Sequence, residues 1–374
     1  RSSIVQPGKL DWPTRNDVCF QCHLLPAVEV IGPRRIDRDW YDFRPGQRLR
    51  DDALPVDVSD ASMPDDDRFQ INHHAWRMLQ SPCYVGSKGE MGCTSCHDPH
   101  VRRVGAEASG WYRERCLACH EDLPRAHGDA STTHGDRANS ADERDCIACH
   151  MPKRRTQDVV EATMTDHRVV RHIDASDTRL APRAPHVPEL TDIRLFDPPA
   201  ELGSDEAKAY RALAALDHGI GGGALDALAR HVARIDDAHP SWWLRLARHQ
   251  AGAARWDDAA AALAKLPKSE QTSPDARFIA ALVAAGQGHR GEARALLADL
   301  ARTQAFLPEA SYNLGLLALR DGDTATAIRA LTEATRLRPL SAASWLRLAM
   351  AQHQAHQPEA ARTSLTRALE IRPD

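Results

Sequence analysis

The feature that most constrains this chain is a five-residue motif that occurs four times within the first 150 residues. In each copy, two cysteines separated by two residues are followed directly by a histidine. The copies are Cys19, Cys22 and His23; Cys93, Cys96 and His97; Cys116, Cys119 and His120; and Cys146, Cys149 and His150. This spacing is the signature of c-type haem attachment, in which the thiols form thioether bonds and the histidine becomes an axial ligand of the iron. The motifs therefore predict four covalently bound haems c.

Paired cysteines of this spacing also occur in zinc sites and in thioredoxin-like redox proteins. Neither needs a histidine directly after the second cysteine, whereas all four copies here have one. All nine cysteines precede residue 150, so the N-terminal part is predicted to be a cofactor domain. Aromatic residues make up only 5% of the chain and its mean hydropathy is -0.49. We therefore expect the porphyrins to supply the buried apolar mass that the side chains lack.

The charge balance argues against two classes of partner. The net charge is -4 and the isoelectric point is near 6.6, so no basic field would attract nucleic acid or an anionic membrane. No run of about 18 apolar residues predicts a transmembrane segment. The numbering opens at an arginine without a signal-like segment, and we expect a processed or incomplete form of the protein.

Three segments differ in composition. Residues 1–175 are turn-rich and hold all four motifs, which predicts a loop-rich tetrahaem cytochrome c domain with short helices. Residues 176–203 are rich in proline and fit either a semi-stiff linker or a loop packed over the first domain. Residues 204–374 are rich in alanine, leucine and arginine and predict an α-solenoid of about five helical hairpins. The expected fold class is mainly α.

The C-terminal segment repeats with a period of about 34 residues, which is the length of a tetratricopeptide repeat. Four sets of equivalent positions carry similar residues: Leu246, Ala280, Leu314 and Leu348; Ala247, Ala281, Gly315 and Ala349; Ala259, Ala293, Ala327 and Ala361; and Leu263, Leu297, Leu331 and Leu365. In such repeats a small residue on the first helix meets a small residue on the second. The earlier hairpin at about 204–237 loses the period at residues 219–223 (GIGGG), and we interpret it as a degenerate first repeat.

A solenoid of this kind has a concave face that usually holds a peptide or another protein. We therefore expect redox partner proteins, or self-association into a larger assembly, at the repeat domain. The alternative is that the solenoid only braces the haem domain.

The function of a multihaem protein depends on the sixth ligand of each iron, because a second protein ligand closes the metal and an open position allows substrate chemistry. The first 186 residues contain eight further histidines, which are His73, His74, His100, His127, His134, His167, His172 and His186. Eight candidates exceed four irons, so all four haems are predicted to be bis-histidine and to transfer electrons.

Sequence context ranks these candidates. His100 follows His97 too closely to share its iron and is predicted to bind a neighbouring haem. His73 and His74 point about 100° apart on a helix, so only one of them faces a given haem. His167 is predicted to close a haem from a separate segment, with Asp166 available to orient its ring. His134 and His127 compete for the remaining place.

Cys83 is the ninth cysteine and belongs to no motif. Three interpretations remain open: an intermolecular disulfide, a partner in an absent N-terminal segment, or a buried free thiol. Burial is the commonest outcome for such a residue.

The segments INHHAWRMLQSPCY, GCTSCHDPH, CLACHED, DCIACHMPKRR and DVVEATMTDHR together resemble multihaem cytochromes c fused to tetratricopeptide repeats. The haem part is similar to the tetrahaem cytochromes of the hydroxylamine-oxidation type. The resemblance implies haems in close parallel and perpendicular pairs, and it places distal ligands at His73 or His74, His100, His134 and His167. It also implies a periplasmic or extracellular location and further haem segments upstream in longer relatives.

Three functions remain open. The first is an electron relay whose repeats dock a partner or pack subunits into an assembly such as an extracellular conductive filament. The second is an oxidoreductase that acts on a small nitrogen or sulfur compound at one five-coordinate haem, although no Cys-x-x-Cys-Lys variant is present. The third is an adaptor in which the haems serve only as structural mass. The surplus of histidine candidates favours the relay.

Overall fold

The structure of the chain is a computed structural model, and it describes residues 4–24, 32–39, 42–121, 145–159, 161–171, 180–181, 188–304 and 306–372. The side chain of Cys149 and the predicted histidines His127, His134, His172 and His186 lie outside the described residues. The chain divides into two compact units, Arg1–Ala227 and Leu228–Asp374. The described part is mainly helical, which confirms the predicted fold class.

The first unit consists of short helices and two small antiparallel sheets joined by irregular segments. Its helices are α1 Trp12–His23, α2 His74–Leu79, α3 Pro82–Gly86, α4 Cys93–Cys96, α5 Gly105–Leu117, α6 Cys146–His150 and α7 Ser204–Asp217. Its strands are β1 Val56–Asp60, β2 Lys153–Arg155, β3 Thr163–Thr165 and β4 Leu190–Leu195. Most of these elements are too short to be stable alone, so tertiary contacts must hold them in place.

One sheet joins sequence-distant segments of the first unit. Strand β1 pairs with β4 in antiparallel register, with Val56 opposite Leu195 and Val58 opposite Ile193. Both valines are fully buried, and Ala214 of α7 packs in the same apolar cluster. Residues 190–195, which lie within the segment predicted as a linker or a packed loop, form a strand of this sheet. Helix α7, predicted to open the solenoid, packs against β4 within the first unit.

The second unit is a series of antiparallel helical hairpins. Its helices are α9 Pro240–Gly252 and α10 Trp256–Leu263, the short α11 Lys268–Gln271, α12 Pro274–Gly286 and α13 Arg290–Thr303, α14 Pro308–Arg320 and α15 Thr324–Leu337, and α16 Ala342–Gln354 and α17 Pro358–Ile371. The preceding helix α8 Ala224–Val232 spans the division between the units. Each hairpin packs on the next, as in a solenoid.

The sequence period reappears at the start of these helices. Pro240, Pro274 and Pro308 each stand in the first turn, where the missing N–H of proline costs no hydrogen bond. The side chain of Ser273 accepts a hydrogen bond from the N–H of Ala276 at the start of α12. Asp323 caps α15 in the same way through the N–H of Thr326.

The predicted repeat positions form the core of the second unit. Of the positions aligned in the sequence, twelve residues are buried: Leu246, Ala247, Ala259, Ala281, Ala293, Leu297, Leu314, Gly315, Ala327, Leu331, Leu348 and Ala349. Gly315 of α14 faces Leu331 of α15, and a Cβ added at Gly315 would lie 2.5 Å from the Leu331 Cγ. The small residue therefore meets a leucine rather than the second small residue that the pattern predicted.

A second periodic feature lies in the turn inside each hairpin. Ala254, Gly288, Gly322 and His356 all adopt positive φ, between 56° and 87°. Glycine adopts this conformation without strain, whereas alanine and histidine do not. The four repeats therefore share a turn with positive φ, but only two of them have glycine at that position.

Candidate functional site

Each of the four motifs occupies a helical turn. The first motif is the C-terminal end of α1, and the second comprises α4 and the residue after it. The third begins in the last turn of α5 and continues beyond it, and the fourth forms α6. Within the second motif the N–H of His97 donates to the Cys93 carbonyl at 2.9 Å, and His120 makes the same bond to Cys116 at 3.0 Å. Residues three and four apart lie on one side of a helix, so this turn presents both thiols and the histidine together.

Thiols of different motifs meet in two pairs. Cys19 and Cys93 form a hydrogen bond to each other, which lowers the pKa of Cys19 to about 7 and raises the pKa of Cys93. Burial, together with the neighbouring thiol of Cys146, raises the pKa of Cys116 to about 12. The first motif therefore adjoins the second, and the third adjoins the fourth.

Four imidazoles lie in a row beside the first two motifs. The ring centres of His23 and His74 are 5.9 Å apart, those of His74 and His167 are 4.7 Å apart, and those of His167 and His97 are 6.0 Å apart. The rings are perpendicular in the first two contacts and stacked in the third. Two motif histidines thus stand at the ends of the row, and two predicted distal ligands stand between them.

The surroundings keep the two inner rings neutral. Burial and the nearby His74 lower the pKa of His167 to about 4. Burial, with His23 and His97 close by, also lowers the pKa of His74. A neutral imidazole is the form that binds a metal.

Backbone carbonyls fix which ring nitrogen of two histidines is protonated. Nδ1 of His167 lies 3.0 Å from the Thr165 carbonyl oxygen, and Nδ1 of His150 lies 2.8 Å from that of Val170. A carbonyl only accepts, so Nδ1 carries a proton, and in a neutral ring of this kind Nε2 holds the lone pair. Metal-binding histidines usually donate their second ring N–H in this way.

A buried ion-pair cluster holds the segments that carry these histidines. The Asp166 carboxylate accepts hydrogen bonds from Arg77 at 2.9 and 2.7 Å and from Arg154 at 3.1 Å. Burial alone would raise the pKa of Asp166, but the hydrogen bonds and charge of Arg77 lower it. The prediction that Asp166 orients the His167 ring is wrong, because its oxygens bind arginines and the Thr165 carbonyl takes that role.

The structure distinguishes His74, the first residue of α2, from His73, which directly precedes the helix. His73 is fully buried, and its ring centre lies 5.2 Å from that of Trp76. His74 instead contacts both His23 and His167. His100 is exposed, and its N–H donates to Asp98 at 3.0 Å. His74 and His167 are therefore the predicted distal ligands that the fold brings to the motifs.

Two aromatic residues missed by the sequence reasoning contact the second motif. The indole N–H of Trp111 donates to the Cys96 carbonyl at 2.8 Å, and the Tyr112 hydroxyl lies 3.2 Å from Nδ1 of His97. The guanidinium groups of Arg103 and Arg115 lie 3.6 and 3.9 Å from the Trp111 ring centre. The sequence signal was the aromatic pair one turn before the third motif.

The ninth cysteine lies close to the second motif. Cys83, in α3, is partly buried, and it contributes to raising the pKa of Cys96, whose main cause is burial. Its N–H donates to the Ser81 hydroxyl at 3.3 Å. Among the described residues, the cysteines, histidines and carboxylates form no group of three that could hold a metal ion by themselves.

The residues present fit haem c. The cysteine pairs of the motifs lie on helical turns, a histidine follows each pair, and imidazoles whose Nδ1 atoms contact backbone carbonyls lie nearby. His74 adds a buried Nδ1 that makes no hydrogen bond within the described part of the chain. The donor set therefore suits iron held in a porphyrin.

The second unit contains a cleft of about 570 Å³ between α13, α14 and α15. Its lining includes the apolar residues Ala298, Leu314 and Ala330 and the charged residues Arg294 and Arg329. Arg294 bonds Asp321 and Asp323, and Arg329 donates to the Thr326 hydroxyl.

In the described residues no helix is both long enough and apolar enough to cross a bilayer.

Comparison with known proteins identifies the C-terminal region. The tetratricopeptide repeat family model matches residues 280–328 and 312–374. This confirms the predicted repeats there, and such repeats mediate contacts between proteins. No curated protein matches the chain.

Several solved structures are similar to part of the chain. A MamA crystal structure is 20% identical, covering 46% of this chain and 95% of that chain with a TM-score of 0.38. MamA from Desulfovibrio magneticus RS-1 is 17% identical, with 46% and 97% covered and a TM-score of 0.39. YrrB, described as a TPR protein with an unusual peptide-binding site, is 16% identical, with 42% and 79% covered and a TM-score of 0.34.

Proposed function

We propose that the first unit is a tetrahaem c-type cytochrome that relays electrons, and that the repeats hold it against another protein. The observation that carries the proposal is the row of imidazoles from His23 through His74 and His167 to His97. A row of four imidazoles beside two thiol pairs has no evident use in a metal-free fold. It is the arrangement expected where two bis-histidine haems are neighbours.

The residues divide the work of holding each cofactor. The paired cysteines of each motif would hold the porphyrin covalently, and His23, His97, His120 and His150 would bind the iron. When bound, haem accepts and donates one electron at a time. A second histidine at each iron would exclude substrate molecules from it.

The repeat domain offers surfaces at which a partner protein could bind. Their helical hairpins bring apolar and charged groups to one cleft, and at the end of the described repeats α17 exposes Leu365 and Leu369, at 43% and 53%. The partner is a redox protein or a further copy of the chain, as in a filament. We place the protein in the periplasm or outside the cell, where motifs of this kind receive haem in the cytochromes that the chain resembles.

The first experiment counts covalent haem. The full chain is produced in bacteria that mature c-type cytochromes, and intact mass and a pyridine haemochrome assay report the number of haems. We expect four, and three after replacement of Cys19 and Cys22 by alanine. The matched control is Cys83→Ala, which removes a cysteine outside the motifs and keeps four. A haem-free chain with disulfides such as Cys19 to Cys93 would refute the proposal.

Spectroscopy of the same protein separates the relay from an enzyme. Six-coordinate bis-histidine iron is low-spin when oxidised and binds no carbon monoxide after reduction. We expect that signature for all four haems. A high-spin component that binds carbon monoxide would instead favour catalysis at an open iron.

A further inference from the structure

We infer that His74 is the distal ligand paired with His23 of the first motif, and that His167 is the distal ligand paired with His97 of the second. The inference rests on the proposed haem content and settles a choice that the sequence left open. It also excludes His73 as a ligand. Three independent observations support it: the distances between rings, the burial of His73 and the ion pairs beside both distal ligands.

The distances distinguish ligands of one iron from ligands of neighbouring irons. Two imidazoles on opposite sides of one metal have ring centres about 6 Å apart, from two metal to nitrogen bonds of about 2 Å and two ring radii of about 1 Å. The His23 to His74 and His167 to His97 separations are 5.9 and 6.0 Å. The His74 to His167 separation of 4.7 Å is shorter, as expected of two rings in direct contact.

The helix α2 decides between the two adjacent histidines. His73 is the N-cap residue that precedes α2 and His74 is the first residue of the helix, and the two side chains contact different groups. His73 is fully buried beside the Trp76 ring, whereas His74 contacts His23. His73 is therefore packed in the interior against Trp76, and His74 faces the motif.

Arg77 and Asp166 act as positioning residues for the two distal ligands. Arg77 lies one turn after His74 on α2, and Asp166 directly precedes His167. Their two hydrogen bonds, at 2.9 and 2.7 Å, are buried, with 4% and 1% of the side chains exposed. Arg154 of β2 bonds the same carboxylate, so three segments meet at one fixed point. This cluster sets the spacing between His74 and His167.

The test replaces single histidines in the full haem-loaded chain and measures the spin state of the oxidised iron. We expect His74→Gly and His167→Gly each to convert one of the four haems to high-spin iron, which then binds carbon monoxide after reduction. Added imidazole should restore the low-spin signature. His73→Gly is the matched control and should leave four low-spin haems. High-spin iron in the His73 variant, or its absence in the His74 variant, would overturn the inference.

A second set of variants assigns each ligand to its motif. When Cys19 and Cys22 are alanine and the first haem is missing, His74→Gly should add no high-spin iron. When Cys93 and Cys96 are alanine, His74→Gly should still add one high-spin iron. High-spin iron in the first background and none in the second would refute the pairing. If a glycine variant does not fold, His74→Met retains a ligand and should raise the potential of one haem. A wild-type chain without haem would refute the proposed function itself, which keeps the two failures distinct.

Discussion

Replacement of Gly315 by alanine tests how the second unit is packed. The added Cβ would lie 2.5 Å from Cγ and 2.9 Å from Cδ2 of Leu331, whereas carbon atoms normally approach to about 3.5–4.0 Å. Leu331 is fully buried and cannot turn away, so the two helices must separate by about 1 Å. Overpacking of this kind costs about 3 kcal/mol at the upper end of its range, and alanine returns about 1 kcal/mol of helix propensity. We expect a net loss of about 2 kcal/mol.

The assay is urea unfolding of the haem-loaded chain, followed by far-ultraviolet circular dichroism for the helices and by haem absorbance for the first unit. In a Leu331→Ala background the clash disappears, so Gly315→Ala should then raise the free energy of unfolding. Gly252→Ala is the matched control, because no atom lies within 4 Å of a Cβ added at that helical position. A loss of the same size in both backgrounds would refute the packing argument.

Three further changes have defined outcomes. Asp166→Asn leaves buried arginines without their counter-charge and should lower the free energy of unfolding by about 3–5 kcal/mol, measured by haem absorbance. Ala254→Gly and His356→Gly should each raise it by about 0.5–1 kcal/mol, since positive φ costs an L-residue about 1–2 kcal/mol and glycine costs about 0.5–1 kcal/mol in entropy. Leu365→Glu with Leu369→Glu should shift the chain to smaller species in sedimentation velocity if these exposed leucines join copies.

Each of these changes has a control at a nearby or equivalent position. Glu161→Gln removes an exposed partner of Arg155 and should change stability by less than about 1 kcal/mol. Gly288→Ala and Gly322→Ala place an L-residue at the equivalent positive-φ positions and should lower the free energy of unfolding. Thr366→Glu adds charge at an exposed position of α17 and should leave the mass unchanged. Equal effects in a variant and its control would contradict the corresponding prediction.

The local features of the fold could be predicted from the sequence because each depends on residues close in the chain. Twelve of the sixteen small and apolar residues spaced about 34 positions apart are buried, whereas Leu365 in the last helix is exposed. Helical turns at the four motifs follow from the same local spacing. The mainly α fold class and the tetratricopeptide repeats of residues 280–374 are confirmed, and the haem content stays a prediction.

Features that depend on distant residues were not accessible in this way. The choice of His74 over His73 required the position of His23, which lies in a different helix. The role of Asp166 changed because Arg77, far away in sequence, bonds its carboxylate. The strand at residues 190–195 lacks a clear alternating pattern and forms only because β1 offers a buried edge.

The pairing of β1 with β4 sets an order of events during synthesis. Strand β1 precedes the second, third and fourth motifs, and its partner β4 follows all of them. Val56 and Val58 therefore stay uncovered until the last motif has left the ribosome, and a long loop must close before they are buried. All eight motif cysteines are therefore synthesised before β1 can pair with β4. A nascent chain halted before residue 190 would contain every motif cysteine, and its strand β1 would have no partner strand.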